Sequence, residues 1–245
     1  MRQPGTPLTL MASSILVSAN WLIFIYAVQT DHVLDASLGY YINPLVNVLL
    51  GVVILGERMS IARGIAVALA ATGTLVLATS HEGFPWIALS LAFSLGFYGL
   101  LRKQLDVPVV GGLVVETGYL LPVTAVFLGW LTASGDAALP SQGTAISLLL
   151  MAGGPVTMLP LLWFTQAARR LPLSVIGLFQ YIGPSLSFLL AVFVFDESFT
   201  RVHAVTFGCI WTGLVISTID SLARARKIEA LRREMVVADG SGRAE

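Results

Sequence analysis

Glu116 is the one ionisable side chain well inside an apolar run of this sequence, several residues into Gly111–Ala133. A charge at that depth in a bilayer costs a few kcal/mol, about 3 on insertion scales. The carboxyl must therefore face a wet cavity, find a partner or take a proton. The first and last of these suit a proton-coupled or cation-binding site. The plain alternative is a structural hydrogen bond to a neighbouring helix.

A second group of polar residues surrounds two prolines. Tyr40, Tyr41, Asn43 and Asn47 flank Pro44. Asn43 and Asn47 are four residues apart and share one helix face, with Tyr40 on the same side. Gln180, Tyr181 and Ser187 occupy the corresponding positions around Pro184. Amides within lipid seek either another helix or a substrate, so these residues are candidates for substrate binding. Pro44 and Pro184 each remove a helix hydrogen bond and are hinge candidates, with a fixed packing kink as the alternative. Pro122 and Pro160 fall under the same alternatives.

Asn20 and Trp21 lie mid-run in the first apolar segment, where an indole could stack on a planar ligand. Tyr26, Trp163, Tyr98 and Tyr119 are weaker candidates, since aromatics near an interface are usually anchors. Glu57 with Arg58, and Glu197 near Arg201, stand at segment ends. They read as solvated end charges, or as a gate that forms ion pairs when one side closes. His32 and His81, near Asp31, Asp35 and Glu82, lack metal-ligand spacing, so no metal is expected. No nucleophile motif or phosphate loop occurs. The expectation is a chain that is not an enzyme, takes no cofactor and binds no nucleic acid.

The elements that must position these residues are membrane helices. The 245 residues are 56% hydrophobic and 11% charged, with Lys and Arg balancing Asp and Glu at 14 each. Mean hydropathy is +0.83. A soluble domain carries about 25% charged residues. The single cysteine, Cys209, rules out an intrachain disulfide. A spanning helix needs about 20 mostly apolar residues. The runs Leu8–Gln29, Ala36–Gly56, Ile61–Thr79, Pro85–Leu101, Gly111–Ala133, Thr144–Ala168, Pro172–Phe195 and Val205–Leu222 predict eight spans, each one helix, with Val236–Glu245 as a disordered tail.

With both termini in the cytoplasm, 13 of the 14 Lys and Arg residues lie inside and only Arg201 outside. The sequence also repeats itself. Gly39–Ser60 and Phe179–Thr200 align without a gap at an offset of 140 residues, with seven of 22 positions identical, including Tyr41/Tyr181, Pro44/Pro184 and Glu57/Glu197. The offset also pairs Gly73 with Gly213. The second span runs inward and the seventh outward, so the copies have inverted topology, as in many secondary transporters. Two helices of the second copy have no counterpart in the first. The division predicted is 1–80 as an incomplete first repeat, 81–224 as a complete second repeat and 225–245 as a cytoplasmic tail.

Several ordered segments carry a family likeness: Asn20-Trp21-Leu-Ile-Phe, Leu34 to Asn47 (LDASLGYYINPLVN), Gly56-Glu57-Arg58, Phe97 to Lys103 (FYGLLRK), Glu116 to Pro122 (ETGYLLP) and Phe179 to Pro184 (FQYIGP). Together they resemble RarD-type members of the EamA group, in the drug/metabolite transporter superfamily, over nearly the whole chain. The resemblance implies ten helices in two five-helix repeats, the bacterial inner membrane and a permease role, with an association with chloramphenicol sensitivity. The fold expected is all-α, a polytopic bundle of eight transmembrane helices from a five-plus-five inverted-repeat fold without the first two. The function expected is a permease for a small organic metabolite or drug. The alternative is a non-transporting membrane binding or sensory protein, or an inactive truncated paralogue. The partners expected are the lipid bilayer, an unidentified small molecule and a further copy of the chain in a homo-oligomer.

Overall fold

The computed structural model describes residues 6–79, 84–135, 143–194 and 200–242. Among them there is no strand. The helices, in chain order, are α1 (Thr6–Gln29), α2 (Val33–Val53), α3 (Ile61–Ala78), α4 (Trp86–Gln104), α5 (Val109–Ser134), α6 (Thr144–Arg170), α7 (Leu173–Gln180), α8 (Ile182–Val194) and α9 (Arg201–Gly242). Helices are the open-ended structure lipid allows, because every backbone donor and acceptor is satisfied within the segment. Their ends follow local chemistry. The Ser60 hydroxyl caps α3 by accepting from the Arg63 N–H at 3.2 Å. Gly135, at φ 82°, takes the left-handed position that closes α5.

Six helices are long and apolar enough to cross a membrane: α1, α2, α3, α5, α6 and the Arg201–Ala223 part of α9. The chain is thus a multi-pass membrane protein. Apolar side chains on the outside of the bundle, such as Leu22, Val53, Leu75, Val123, Leu149 and Ile219, fit lipid rather than water. The fourth predicted span, α4, has 19 residues but ends in Arg102 and Lys103, which lower its apolar character.

Two sequence expectations are corrected. The predicted seventh span is two helices, broken by a turn at Tyr181. Pro184 explains the break: it lacks the N–H that would bond the carbonyl of residue 180, and its ring clashes there. Restarting the helix at Ile182 puts Pro184 in the first turn of α8, where no N–H partner is needed. Within the expected disordered tail, residues 236–242 are instead helical, since α9 continues to Gly242. The run Leu222–Met235 is rich in Ala, Arg, Leu, Glu and Lys, all strong helix formers. Predicted spans one to six and eight coincide with helices, to within a few residues at most ends.

The core is built where helices cross, α2 running parallel to α4 and antiparallel to α7. A buried cluster joins Tyr41, Ala70, Tyr181, Phe207 and Ile210 from α2, α3, α9 and the Tyr181 turn. α2 packs on α4 and α7, and α1 packs on α4 and α5. α3 crosses α9 closely, at two glycines. A Cβ on Gly73 would stand 2.7 Å from the Thr206 carbonyl oxygen, and one on Gly213 would stand 2.7 Å from that of Ala66. As numbers rise on α3 they fall on α9, so the two helices run antiparallel. The contacts are also reciprocal at the 140-residue offset, because Thr206 corresponds to Ala66 and Gly213 to Gly73.

Candidate functional site

Three polar assemblies lie in this bundle. The first contains Glu116. α5 carries it against α1, where the Ser13 hydroxyl donates to Oε1 at 2.5 Å and the Ser14 hydroxyl donates to the Glu116 carbonyl at 2.8 Å. The carboxyl is not alone. Arg102, in the last turn of α4, places Nη1 3.5 Å from Oε1, and both side chains are 2% exposed. Arg102 Nη2 also donates to the Val109 carbonyl at 3.0 Å. Gly112 leaves room for the guanidinium, since a Cβ there would overlap it. Of the outcomes open to Glu116, the structure shows a partner: the carboxyl forms a buried ion pair with Arg102. The pairing offsets part of the penalty for placing a charge at that depth, with Arg102 Nε and Nη1 and Glu116 Oε2 left without a hydrogen-bond partner.

The second assembly brings the two copies together. Asn43 and Asn47 of α2 both donate Nδ2 to Gln180 Oε1 of α7, at 3.2 and 2.5 Å. Asn47 is fully buried. The Oδ1 atoms of both asparagines are buried without a hydrogen-bond partner. Beside them the Tyr98 ring stacks on Phe164 with centroids 6.4 Å apart, and Tyr98 Oη lies 3.4 Å from Thr165 Oγ1. Tyr181 Oη donates to the Tyr41 carbonyl at 3.1 Å, and Tyr41 Oη donates to the Pro184 carbonyl at 3.5 Å. Tyr41, Asn43, Asn47, Gln180 and Tyr181 thus meet at one crossing, with Pro44 and Pro184 at its edges. Close approach there depends on Gly177, whose missing Cβ would stand 2.5 Å from the Pro44 carbonyl oxygen.

Other candidates lie elsewhere. Tyr40 is half-exposed and packs edge-on to Phe24, on the face of α2 away from Gln180. Trp21 also packs edge-on to Phe24 and is half-exposed. Asn20 spends its amide on the Leu91 carbonyl and Ser94 Oγ, both at 2.9 Å, which ties α1 to α4. These three do not join the crossing. The helical period placed Tyr40 within reach of the Asn43 face, but α7 covers only the sector holding Asn43 and Asn47. Tyr26 and Trp163 are exposed on the bundle's outer side. The side chain of Ser187, and residues His81 and Glu197, lie outside the described residues.

The third assembly is at the end of the bundle that holds most of the Lys and Arg. Glu57, just past α2, accepts from the Leu173 N–H at 2.6 Å, the Ser174 N–H at 3.0 Å and the Ser174 hydroxyl at 2.7 Å. These are the first free donors of α7, so the carboxylate caps that helix and meets its positive end. Lys103 Nζ lies 3.7 Å from Glu57 Oε1 and donates to the Ala168 and Leu171 carbonyls at the close of α6, at 3.1 and 2.5 Å. Burial pushes the Glu57 carboxyl up, but the Ser174 and Leu173 donors and the Lys103 charge outweigh it and hold it below its ordinary value. Sequence reasoning paired Glu57 with Arg58 and took Arg102 and Lys103 only as topology charges. The signal for Arg102 was its place one short loop before the apolar run that holds Glu116.

No family model matches the chain. An uncharacterized transporter of Vibrio cholerae is 51% identical over 213 residues, 87% of this chain and 70% of that protein. Protein RarD of Salmonella typhimurium is 48% identical over 227 residues, 93% of this chain and 77% of that protein. Protein RarD of Escherichia coli is 45% identical over the same length and shares. A solved crystal structure, described only as that of a protein, superposes with a TM-score of 0.60 over 89% of this chain and 79% of its own, at 20% identity, which is a likeness of fold. With identities near one half across most of both chains, and a membrane bundle of the kind the sequence implied, this chain belongs to the RarD-like family of transporters.

Proposed function

We propose that the chain is part or all of a permease that moves a small organic molecule across the bacterial inner membrane, through the α2–α7 crossing. The observation that carries this reading is the meeting of Asn43, Asn47 and Gln180 from the two repeat copies, with two buried amide oxygens left unpartnered. A buried acceptor without a donor costs about 1–3 kcal/mol, which a hydrogen-bonding ligand can recover. The reciprocal contacts of Gly73 and Gly213 on antiparallel α3 and α9 support two inverted halves, 1–80 and 81–224, about an axis in the membrane plane. The absence of any nucleotide-binding motif in the sequence supports gradient-driven rather than ATP-driven transport.

A Pseudomonas aeruginosa relative, 33% identical, carries the name chloramphenicol-sensitive protein RarD. That makes labelled chloramphenicol the first probe. Cells expressing the chain should differ from vector controls in its accumulation, and Gln180→Ala should abolish the difference while membrane expression persists. The same difference in Gln180→Ala as in the unsubstituted chain would remove the crossing from the transport path.

Orientation follows the Lys and Arg asymmetry, with both termini cytoplasmic and eight crossings. A reporter that fluoresces only in the cytoplasm should be bright when fused after Gln104 and after Arg226, and dark after Gly135. A dark fusion after Arg226 would refute this arrangement.

A further inference from the structure

We infer that Glu57 is the catch of a gate: its carboxylate holds α7 down over the Asn43–Asn47–Gln180 cluster, and its release lets α7 move away and opens the cluster to the Lys/Arg-rich end of the bundle. The inference deepens the transport reading and rests on that cluster being the transport site.

Three observations point the same way. First, α7 is a separable unit. It is eight residues long, bounded by Pro172 and by the turn at Tyr181. Its residues Leu173–Leu178 are buried, so moving it uncovers a large internal surface. A short rigid segment between two backbone joints is what hinge motion needs. Second, its start is held by a side chain from another element. Glu57 reaches back from the end of α2 to the Leu173 and Ser174 donors, so one carboxylate bridges the static α2–α4 pair and the mobile unit. Lys103 of α4 completes the catch by holding the α6 carbonyls on the other side of the same turn. Third, the catch stands directly over the cluster. Going up α2 from Glu57, Gly51 packs against Ser174, Asn47 against Gly177, and Asn47 and Asn43 bond Gln180. Freeing Ser174 therefore frees the segment that covers both asparagines.

A carboxylate is suited to this work. Its hydrogen bonds to the α7 donors are charge-assisted and strong enough to close the path. They are also all made by one side chain, so a single rotation of Glu57 releases them together. Charge neutrality is preserved in the closed state by Lys103, which keeps the α6 carbonyls when Glu57 leaves.

The test measures distance rather than transport, so its failure is separate from that of the transport reading. Spin labels go on Gln104→Cys at the end of α4 and Phe179→Cys on α7 itself, both exposed, in a Cys209→Ser background reconstituted in lipid nanodiscs. The chain with Glu57 intact should give one dominant short distance. Glu57→Gln should raise a discrete longer-distance population at least about tenfold, the ratio for one charge-assisted hydrogen bond, and Glu57→Ala, which loses all three, should raise it further. An unchanged distribution in both folded variants overturns the gate. So does aggregation of both variants, because a gate must leave a folded chain when it opens.

Discussion

Glu116→Leu alone should destabilise the chain by about 3–5 kcal/mol, and Arg102→Met alone by a similar amount. Each change leaves one buried group without its counter-charge. Arg102 then has only the Val109 carbonyl, and its Nε and Nη1 already lack hydrogen-bond partners. Glu116 keeps the Ser13 hydroxyl on Oε1, with the Tyr98 hydroxyl close to the carboxyl. Removing both charges together, as Arg102→Met with Glu116→Leu, should restore most of the loss. The apolar pair fills the same space, and the Ser13 hydroxyl retains the Leu10 carbonyl at 3.0 Å. Reversible unfolding in mixed micelles, run as a double-mutant cycle, measures the coupling. Single variants that each lose under about 1 kcal/mol, or that simply add in the double, would show that the pair is not a buried ion pair.

The same cycle bears on coupling. If Glu116 carries a transported proton, Glu116→Gln should stop pH-driven transport, but collapse of the fold would do so as well. The charge-free double variant separates the two outcomes. A folded double variant that still responds to pH assigns Glu116 to structure. One that binds the probe but no longer responds to pH assigns it to coupling.

The second large effect is expected at the α3–α9 crossing. Gly73→Ala and Gly213→Ala should each cost about 1–3 kcal/mol, the usual penalty for overpacking. In each case the new methyl meets a backbone oxygen at 2.7 Å, which cannot turn aside as a flexible side chain would. One rigid displacement of α9 from α3 relieves both contacts, so the double variant should cost clearly less than the sum of the two singles. The displacement also strains the Thr206 hydroxyl bond to the Gly73 carbonyl, 3.1 Å in the native packing. Single variants with native stability would show that the helices do not cross this closely. Full additivity would show that they do not move as one body.

The lengths of the apolar runs determined the helices and the membrane setting, and ordered segments such as Leu34 to Asn47 and Phe97 to Lys103 carried the family likeness. In lipid the backbone must bond to itself, so an apolar run of about 20 residues has little choice but to be a helix. Periodicity also put Asn43 and Asn47 on one face, and the repeat matched Tyr40 with Gln180 and Asn47 with Ser187. Periodicity could not say which sector of a helix another helix covers. When the whole perimeter is apolar, as on α1, no polar stripe marks the buried side. For that reason Tyr40, Asn20 and Trp21 looked as eligible as Asn47, and only packing turned them away from the crossing. The partner of Glu116 was equally hidden. Arg102 reads as an end charge until the fold brings α4 to α5 and leaves Gly112 open for the guanidinium. Glu57 reads as a solvated end charge until the fold sets it beside the start of α7, whose free donors take their acceptor from outside the helix. Tertiary structure decided these pairings because each depends on where helix ends and side chains meet, and such contacts leave no period in the sequence.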